Sequence, residues 1–379
     1  MKLLHLADLH LGKRVNGYSM LEDQKYILDQ ILQIAAEEHP DAVLIAGDVY
    51  DKSIPPEEAV SLLDYFLSAL ADQNVTVFLI AGNHDSAERL AFAGHMLEKS
   101  GIHVSPVYNG QIDPIVLQDE YGSVVFWMLP FVKPIHVRKF APEVEVKTYD
   151  QAIKTAISGM QVNESLRNVL LTHQFVAGSI RCDSEELSVG GTDQVDGSAF
   201  SAFDYVALGH LHGPQHIGRD SMRYAGSPLK YSFSECGHQK SVSIVQLQEK
   251  GNLSVRQIPL HPMREMAELK GTYDTVTMRD FYEAAGHKDD YLHITLLDET
   301  DVPDAAARLR VIYPNLMKLD YENRHTVYDS GILREEPAVP RSPLELFSDF
   351  FVRQTGKELG EKQRTFMEGL LEQMEEGCQ

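Results

Sequence analysis

Short apolar runs alternate along the first eighty residues with longer segments whose apolar positions recur at helical spacing. The runs at residues 2–7, 42–46 and 75–81 are rich in leucine, isoleucine, valine and alanine. Apolar runs of this length, joined by amphipathic helices, are typical of parallel strands that are buried on both faces. The pattern therefore predicts a β-α-β-α-β order at the start of an α/β domain.

Helical spacing and terminal residues mark the intervening helices. Residues 21–38 repeat apolar side chains every three or four positions, and residues 55–58 supply the prolines and acids that favour the first turn of the next helix. A third helix is predicted over residues 87–99. Residues 133–139, in contrast, are predicted to form a proline-bearing loop.

Later apolar runs predict further strands. They lie at residues 123–129, 169–171 and 205–208, and residues 241–247 and 253–260 are expected to pair antiparallel. From Arg223 onward, the regular alternation of strands and helices gives way to strands and turns.

The composition changes after about residue 262. Predicted strands at residues 291–297 and 317–321 flank a predicted helix at residues 303–311, which indicates a small α+β unit. Residues 335–340 form a charged, proline-containing linker, and two amphipathic helices follow it. We therefore predict three domains, at residues 1–265, 266–335 and 336–379.

The acidic composition restricts the possible partners. The 379 residues include 34 Lys and Arg against 56 Asp and Glu, a formal net charge of −22. Such a surface repels nucleic acid unless bound cations or a local basic patch meet the phosphates. The three cysteines lack paired or metal-site spacing, and no apolar run approaches membrane-spanning length. We therefore expect a reducing, cytoplasmic location, with a buried strand and not a secretion signal at the start of the chain.

Ligand-type side chains follow five of the predicted strands at their carboxyl ends. The five segments are Asp8-x-His10, Gly47-Asp48-x-x-Asp51, Gly82-Asn83-His84-Asp85, His173 and Gly209-His210-x-His212. Binding sites in open α/β sheets assemble at this edge, and a preceding glycine lets the backbone turn into the site. Two aspartates, one asparagine and four histidines suit Mn²⁺, Fe²⁺ or Zn²⁺. Seven ligands are enough for two ions that share a bridging carboxylate.

Each segment has a simpler interpretation by itself. Gly82-Asn83-His84-Asp85 has the composition of a tight turn, and a lone histidine such as His173 is more often a core or loop residue. Asp51 either supports a histidine ligand or only closes the turn after Asp48. The recurrence of ligand-type residues at five strand ends favours a metal site over five coincidences.

In this order, the five segments resemble the motifs of the metallophosphoesterase, or calcineurin-like, superfamily. Within it, the GNHDS-x-x-RL stretch and the C-terminal tail narrow the resemblance to the SbcD family of bacterial exonuclease subunits, which three longer stretches resemble. They are Ala7-Asp8-Leu9-His10-Leu11-Gly12, Gly82–Leu90 (GNHDSAERL) and Tyr224-Ala225-Gly226-Ser227-Pro228-Leu229. The resemblance covers essentially the whole chain. It implies an α/β fold in which helices flank a metallophosphoesterase β-sandwich in four layers (αββα), with a small α+β capping domain and a C-terminal helical partner-binding module.

The resemblance also assigns roles to the site residues. One divalent ion would be held by Asp8, His10, Asp48 and His212. A second would be held by Asp48, Asn83, His173 and His210, so that Asp48 bridges the two ions. Mn²⁺ is expected ahead of Mg²⁺, Fe²⁺ or Zn²⁺. His84 would face the scissile phosphate as a catalytic residue, and Asp85 would orient its ring.

Expected DNA and partner contacts lie outside the metal motifs. Lys13, Arg14 and Arg89 are the predicted contacts to the DNA backbone. The terminal helices carry an apolar stripe of Phe347, Phe350, Phe351, Met367, Leu370 and Leu371. In SbcD-like proteins this region docks on the coiled coil of an SbcC-like ATPase of the SMC family. The alternative is that the two helices simply pack on each other. The resemblance further implies a homodimer within a heterotetramer.

The activity implied by the resemblance is a nuclease. It comprises ATP-dependent 3′→5′ exonuclease action on double-stranded DNA and endonuclease action on single strands and hairpins, in end processing, recombination and replication-linked repair. A calcineurin-like phosphatase or nucleotide phosphodiesterase with the same two metals is the alternative, although protein phosphatases typically have Gly-Asn-His-Glu where Asp85 stands here. A non-catalytic scaffold is disfavoured because clustered polar groups are costly to keep.

Overall fold

Two six-stranded sheets packed face to face form the centre of the molecule. The computed structural model describes residues 1–185, 193–322, 343–355 and 358–377. The first sheet has the order β16 (Leu253–Pro259), β15 (Ser241–Leu247), β1 (Lys2–Leu6), β4 (Ala42–Ala46), β5 (Thr76–Ile80) and β6 (Ile102–Val104). The second has the order β13 (Gln215–Ile217), β14 (Arg219–Tyr224), β12 (Tyr205–Gly209), β9 (Arg167–His173), β8 (Gly122–Leu129) and β7 (Ile115–Asp119).

Continuous apolar runs form these strands because both faces of each sheet are buried. Leu3 and Phe78 of the first sheet meet Phe126 and Val169 of the second in the space between the sheets. Their neighbours along the strands, such as Leu4, point to the opposite face, where helices pack. β1, β4 and β5 are parallel, and β15 and β16 pair antiparallel, as predicted.

Helices cover the outer faces of both sheets. α1 (Leu21–Glu38) and α2 (Glu57–Asp72) pack on the first sheet. α5 (Pro134–Arg138) and α6 (Tyr149–Ser158) pack on the second. The prediction of a loop over residues 133–139 is therefore wrong. Pro134 lies in the first turn of α5, a position to which proline is well suited. The predicted four-layer αββα arrangement is confirmed.

The single helix predicted over residues 87–99 is also wrong. The segment is divided into α3 (Ala87–Leu90), α4 (Gly94–Leu97) and a 3₁₀ turn at Glu98–Ser100. Ala93, between the two short helices, has a left-handed conformation with φ of 60°. That conformation cannot continue a right-handed helix, so the break is set by the backbone and not by the apolar pattern.

A small three-stranded sheet forms a separate unit after the sandwich. Its strands β17 (Met266–Gly271), β18 (Tyr291–Leu296) and β19 (Leu316–Tyr321) are all parallel. Three helices lie between them: α7 (Tyr273–Thr277), α8 (Arg279–Ala285) and α9 (Ala305–Leu309). The expected small unit is thus present, with β17 as a strand that the pattern did not predict.

The described part of the C-terminal region contains two helices, Pro343–Thr355 and Glu361–Gly377. They contact each other, and the second also contacts α5. The predicted linker at residues 335–340 lies outside the described residues. Within the described ranges, no helix combines the length and apolarity needed to cross a membrane. Short two-residue strands lie in the loops of the sandwich: β2 (Arg14–Val15), β3 (Tyr18–Ser19), β10 (Phe175–Val176) and β11 (Gln194–Val195).

Candidate metal centre

All five ligand-type segments converge at one edge of the sandwich. Three follow β1, β4 and β5 of the first sheet, and two end β9 and β12 of the second. The edges of the two sheets are joined directly by hydrogen bonds. The backbone N–H of His210 donates to Asp8 Oδ1 at 2.9 Å, and His173 Nδ1 lies 2.9 Å from the carbonyl oxygen of Ala46.

One group of donors surrounds His10. His10 Nε2 lies 3.0 Å from His212 Nε2 and 3.6 Å from Asp48 Oδ2. Asp8, His10 and His212 present ligand atoms within 4.8 Å of one another, and all three residues are buried. These residues coincide with the ligand set predicted for the first ion.

A second group of donors surrounds Asn83. Its Oδ1 lies 3.0 Å from His173 Nε2 and 2.9 Å from His210 Nδ1. His173 Nε2 is also 3.4 Å from Asp48 Oδ2. Asp48 therefore lies between the two groups, where the sequence predicted a bridging carboxylate.

The backbone at the strand ends adopts conformations that are uncommon for residues other than glycine. Asp8, His10, Asp48 and His210 all have positive φ, with values of 55°, 45°, 48° and 103°. Such conformations cluster at functional sites, because the surrounding structure must hold them in place. They help to direct the side chains of three of the five segments into one small volume.

The glycines in these segments have two different roles. Gly47 has φ of 88° and makes the predicted turn. Gly82 and Gly209 do not have positive φ, and their role is close approach between chain segments. A Cβ on Gly82 would lie 2.1 Å from Asp48 Oδ1, and one on Gly209 would lie 1.9 Å from the Ala46 carbonyl oxygen.

Burial and mutual pairing shift the pKa values of the donors in different directions. Burial lowers the pKa of His10 well below its ordinary value and that of His210 to about 3, so both rings are neutral. Burial opposes the ionisation of Asp48, but the charge and hydrogen bond of His173, together with His10 and His84, outweigh it and hold the pKa of Asp48 below its usual range. The same pairing overcomes burial at His173 and raises its pKa to about 9. A cation bound between them would take the place of that proton.

Asp8 shows that the arrangement fits a cation. Its carboxylate is fully buried, and burial raises its pKa well above the ordinary value. Oδ1 accepts a hydrogen bond from His210, whereas Oδ2 has no hydrogen-bond partner among the described residues. An unpaired buried carboxylate oxygen is costly unless a cation compensates it. The surrounding imidazole, amide and carboxylate donors suit a borderline or hard divalent ion.

The role predicted for Asp85 is wrong. Its two carboxylate oxygens accept backbone N–H groups of Val49, Tyr50 and Gly82, at distances of 2.9 to 3.0 Å. Asp85 therefore holds together the turns after β4 and β5. The His84 ring is oriented by a different group, because its Nδ1 lies 3.0 Å from the carbonyl oxygen of Asp51.

The side chain of Asp51 lies on the outer side of His10. Its Oδ1 is 3.7 Å from His10 Nδ1 and accepts a hydrogen bond from Lys13 Nζ at 2.6 Å. The 3.7 Å contact is longer than a hydrogen bond and His10 Nδ1 has no hydrogen-bond partner among the described residues, so both interpretations of Asp51 stay open. The hydrogen bond to Asp51 places Lys13 beside the metal centre.

A buried polar network behind His212 was missed by sequence reasoning. Ser184 Oγ lies 2.9 Å from His212 Nδ1 and donates to Glu235 Oε1 at 2.6 Å. Glu235 also forms a buried ion pair with Lys240, whose Nζ donates to the His212 carbonyl oxygen at 2.8 Å. Hydrogen bonding of this kind fixes the tautomer and orientation of a ligating histidine. The residues are scattered singly along the chain, so no spacing could have indicated them.

The other predicted contacts include exposed and partly buried side chains. The Arg14 guanidinium donates to the Gly17 carbonyl oxygen, and that of Arg89 donates to the Ser53 carbonyl oxygen at 3.2 Å. On the terminal helices, Phe350 and Leu370 are 58% and 37% exposed. The remaining members of the apolar stripe are partly buried: Phe347, Phe351, Met367 and Leu371. The two helices pack on each other and still leave apolar surface exposed.

Sequence comparisons match both parts of the chain. The profile of the calcineurin-like phosphoesterases matches residues 1–214, and that of the type 5 capsule protein repressor C-terminal domain matches residues 262–355. The SbcD component of the SbcCD nuclease from Staphylococcus epidermidis is 35% identical over 323 residues, covering 84% of this chain and 85% of that protein. Its counterpart from Staphylococcus saprophyticus is 34% identical over 98% of both chains. The chain belongs to the SbcD family of calcineurin-like phosphoesterases.

Membership of the SbcD family agrees with the resemblance seen in the motifs. The likeness to solved structures is remote: a dimetal phosphatase from Danio rerio aligns with 69% of this chain and 98% of its own, at 12% identity and a TM-score of 0.43. The fold is that of a metal-dependent phosphoester hydrolase, and the cluster of Asp8, His10, Asp48, His173 and His212 is suited to divalent metal ions.

Proposed function

We propose that this SbcD-family chain is the nuclease subunit of an SbcCD-type complex that hydrolyses DNA phosphodiester bonds. The observation that carries the proposal is the convergence of carboxylate, amide and imidazole donors around buried Asp48, with His84 beside them. The two staphylococcal relatives are named as nuclease subunits, which supports DNA as the substrate.

The proposed ligand sets are those that the family resemblance implies. Asp8, His10, Asp48 and His212 would hold one divalent cation, and Asp48 would share the other with Asn83, His173 and His210. Cations held there would lower the pKa of a water and offset the charge on the phosphate. We favour Mn²⁺, which the family resemblance implies. The carboxylate, amide and imidazole donors are compatible with it, and no thiolate is present in the set.

His84 is the proposed catalytic residue. The Asp51 carbonyl oxygen accepts the hydrogen on its Nδ1, so Nε2 is the nitrogen that can exchange a proton with the substrate. Nε2 lies 3.8 Å from Asp48 Oδ2, and the side chain is 16% exposed, less buried than those of the ligand histidines His10, His173 and His212. From this position it stabilises charge on the phosphate or protonates the leaving oxygen.

The remaining parts of the proposal concern partners. Lys13, Arg14 and Arg89 contact the DNA backbone, and the small unit starting at Met266 caps the site. The exposed apolar stripe on the terminal helices binds the coiled coil of an SbcC-like ATPase, within a heterotetramer that contains two copies of this chain. ATP binding by that partner controls 3′→5′ exonuclease action on duplex ends and endonuclease action on single strands and hairpins, in the cytoplasm.

A substrate comparison tests the proposed function. Purified chain, alone and with its ATPase partner and ATP, is given blunt duplex DNA in the presence of Mn²⁺, Mg²⁺ or EDTA. A phosphoprotein and a cyclic nucleotide serve as parallel substrates. We expect DNA cleavage with Mn²⁺, none with EDTA, and little turnover of the other two. Preferential hydrolysis of the phosphoprotein or the cyclic nucleotide would contradict the proposal.

A further inference from the structure

The loop that follows the predicted ligand His173 carries two exposed side chains beside the metal centre. Its described part, residues 174–185, begins after His173 and includes β10, Ser184 and Glu185. Ser184 Oγ lies 2.9 Å from His212 Nδ1, and Glu185 Oε1 accepts the His212 backbone N–H at 2.6 Å. Ile180, on the outer part of the loop, is 77% exposed, and the neighbouring residue 181 is exposed as well.

Arg181 is held near the centre by an aromatic ring. Its guanidinium carbon lies 4.5 Å from the centroid of the Phe175 ring. That ring is in turn 6.4 Å from the ring of His210. Stacking of a guanidinium on an aromatic face restricts its orientation and leaves its N–H groups free to bind an anion. The Phe175 ring therefore lies between Arg181 and His210, a predicted metal ligand.

The loop around Arg181 is fastened on both sides. The Ile180 N–H donates to Gln215 Oε1 at 2.9 Å, and Gln215 Nε2 donates back to the Ile180 carbonyl oxygen at 2.7 Å. Further along, the Asp183 N–H donates to Ser234 Oγ at 3.2 Å. A loop fixed in this way loses less conformational entropy on binding a ligand.

Arg181 also differs from the predicted DNA contacts in its partners. Lys13 pairs with Asp51, and the guanidinium groups of Arg14 and Arg89 donate to backbone carbonyls. Among the described residues, no hydrogen bond or ion pair engages the Arg181 guanidinium. Arg181 is thus an exposed cation beside a site on a chain whose formal net charge is −22.

We infer that Arg181 binds a backbone phosphate next to the scissile one, with Ile180 against the adjoining sugar. A guanidinium can contact phosphate through two parallel hydrogen bonds, and an exposed apolar neighbour suits the apolar edge of a nucleotide. The inference rests on the proposed nuclease function and adds a substrate contact to it. Phosphate contacts of this type position the strand without reading its sequence.

The test measures DNA affinity against salt in a His84→Ala background with Mn²⁺, which prevents cleavage if His84 is catalytic. Fluorescence anisotropy of a labelled DNA duplex gives Kd between about 50 and 200 mM salt. Arg181→Ala is expected to raise Kd about five- to tenfold and to reduce the slope of log K against log salt by about 0.9. Arg181→Lys keeps the charge and is expected to keep the slope.

Arg256→Ala is the matched control. It removes the same charge from β16, where Arg256 pairs with Glu38 at the end of α1. Glu38 also pairs with Lys2 at the start of β1, so this site is at the opposite end of the sheet from the metal centre. The control is expected to have the same Kd and the same salt slope as the parent, which is the His84→Ala protein.

The outcomes separate this inference from the proposed function. If the parent binds DNA and the wild type cleaves it, but Arg181→Ala has the parent Kd and slope, only the role of Arg181 is contradicted. An Arg181→Ala variant that binds DNA normally but loses the ATPase partner would show a protein contact and overturn the inference. A parent that does not bind DNA would overturn both.

Discussion

At the scale of single residues, the two nitrogens of each histidine have different neighbours. His173 Nδ1 is taken by the Ala46 carbonyl oxygen and His212 Nδ1 by Ser184, so Nε2 of each ring faces the other donors. In His210 it is instead Nδ1 that faces the other donors, because it lies next to Asn83. These contacts determine which nitrogen is available for a cation, since the hydrogen bond at one nitrogen sets the tautomer of the ring.

His84→Ala tests the catalytic role directly. The variant is expected to bind Mn²⁺ and DNA as the wild type does but to lose cleavage by about 100-fold or more, which is the usual size of a general acid–base contribution. Metal binding is measured by calorimetry and cleavage on labelled duplex DNA. Cleavage at the wild-type rate would show that the proposed role is wrong.

Ser184→Ala tests the support of His212. Loss of the hydroxyl leaves His212 Nδ1 without its 2.9 Å partner, and we expect the affinity for Mn²⁺ to fall about tenfold. Calorimetric titration of the metal-free protein measures the change. Ser61→Ala removes an exposed serine hydroxyl on α2 and is the control. Equal affinities in the two variants would argue against a positioning role for Ser184.

At the scale of elements, the site depends on how closely the two sheets approach at their carboxyl edges. Gly209 pairs in register with His173 across β12 and β9, and its backbone lies against Ala46 at the end of β4. Absence of a side chain at this point is what lets strands of opposite sheets bring their ligands together. The positions of the ligand side chains therefore depend on sheet packing as well as on the loops that carry them.

Gly209→Ala is expected to separate these strands. Its Cβ would lie 1.9 Å from the Ala46 carbonyl oxygen and 2.8 Å from His173 Nδ1, so backbone has to move. We expect a loss of at least about 2 kcal/mol in the free energy of unfolding, together with weaker metal binding. Urea denaturation measures the first effect. Gly237→Ala, where a Cβ meets nothing within 4 Å, should unfold like the wild type.

At the scale of the whole molecule, the small unit is bound to the sandwich close to the metal centre. Arg264 pairs with Asp23 at 2.8 Å, and the Tyr291 hydroxyl of β18 donates to the same carboxylate at 2.7 Å. The next residue, Gln24, donates to the His10 carbonyl oxygen at 2.7 Å. The first turn of α1 therefore contacts both the small unit and a ligand loop.

Removal of the chain from Arg341 onward tests the separation of catalysis from partner binding. The metal ligands all lie in the sandwich, so the shortened protein is expected to retain Mn²⁺-dependent hydrolysis. Association with the SbcC-like ATPase in a pull-down is expected to be lost, because the exposed apolar stripe is gone. Retained association would refute the proposed docking surface.

The pH dependence of stability should reflect the ion pair between Asp119 and buried Arg167, which joins β7 to β9. The hydrogen bonds from Arg167 lower the pKa of Asp119 below its ordinary value of 3.8. Its stabilisation is therefore present above that value and is lost as the pH falls toward the lowered pKa.

Asp119→Asn leaves Arg167 without its counter-charge and is expected to cost about 3 kcal/mol near neutral pH. Urea denaturation should show this difference from the wild type shrinking as the pH falls below 3.8. Glu283→Gln, which breaks an exposed helix pair with Arg279, is the control and should change stability by less than about 0.5 kcal/mol. A difference that does not vary with pH would contradict the assignment.

The sequence by itself determined the features that depend on local chemistry. Apolar runs predicted the central strands, because burial on both faces requires continuous apolar residues. The layered sandwich was implied by the family resemblance. Ligand-type residues at five strand ends predicted where a metal centre would form, because the carboxyl ends of parallel strands share one edge. The family motifs agreed with these patterns, and the comparisons confirmed the family.

Only the tertiary structure decided which groups support those residues. Asp85 caps turns while the Asp51 carbonyl orients His84, and Ser184 and Glu235 support His212 from distant parts of the chain. A hydrogen bond between residues far apart in sequence leaves no spacing to detect. The ligands are determined by their own side-chain chemistry, whereas their supports are determined by which segments the folded sheets bring within hydrogen-bonding distance.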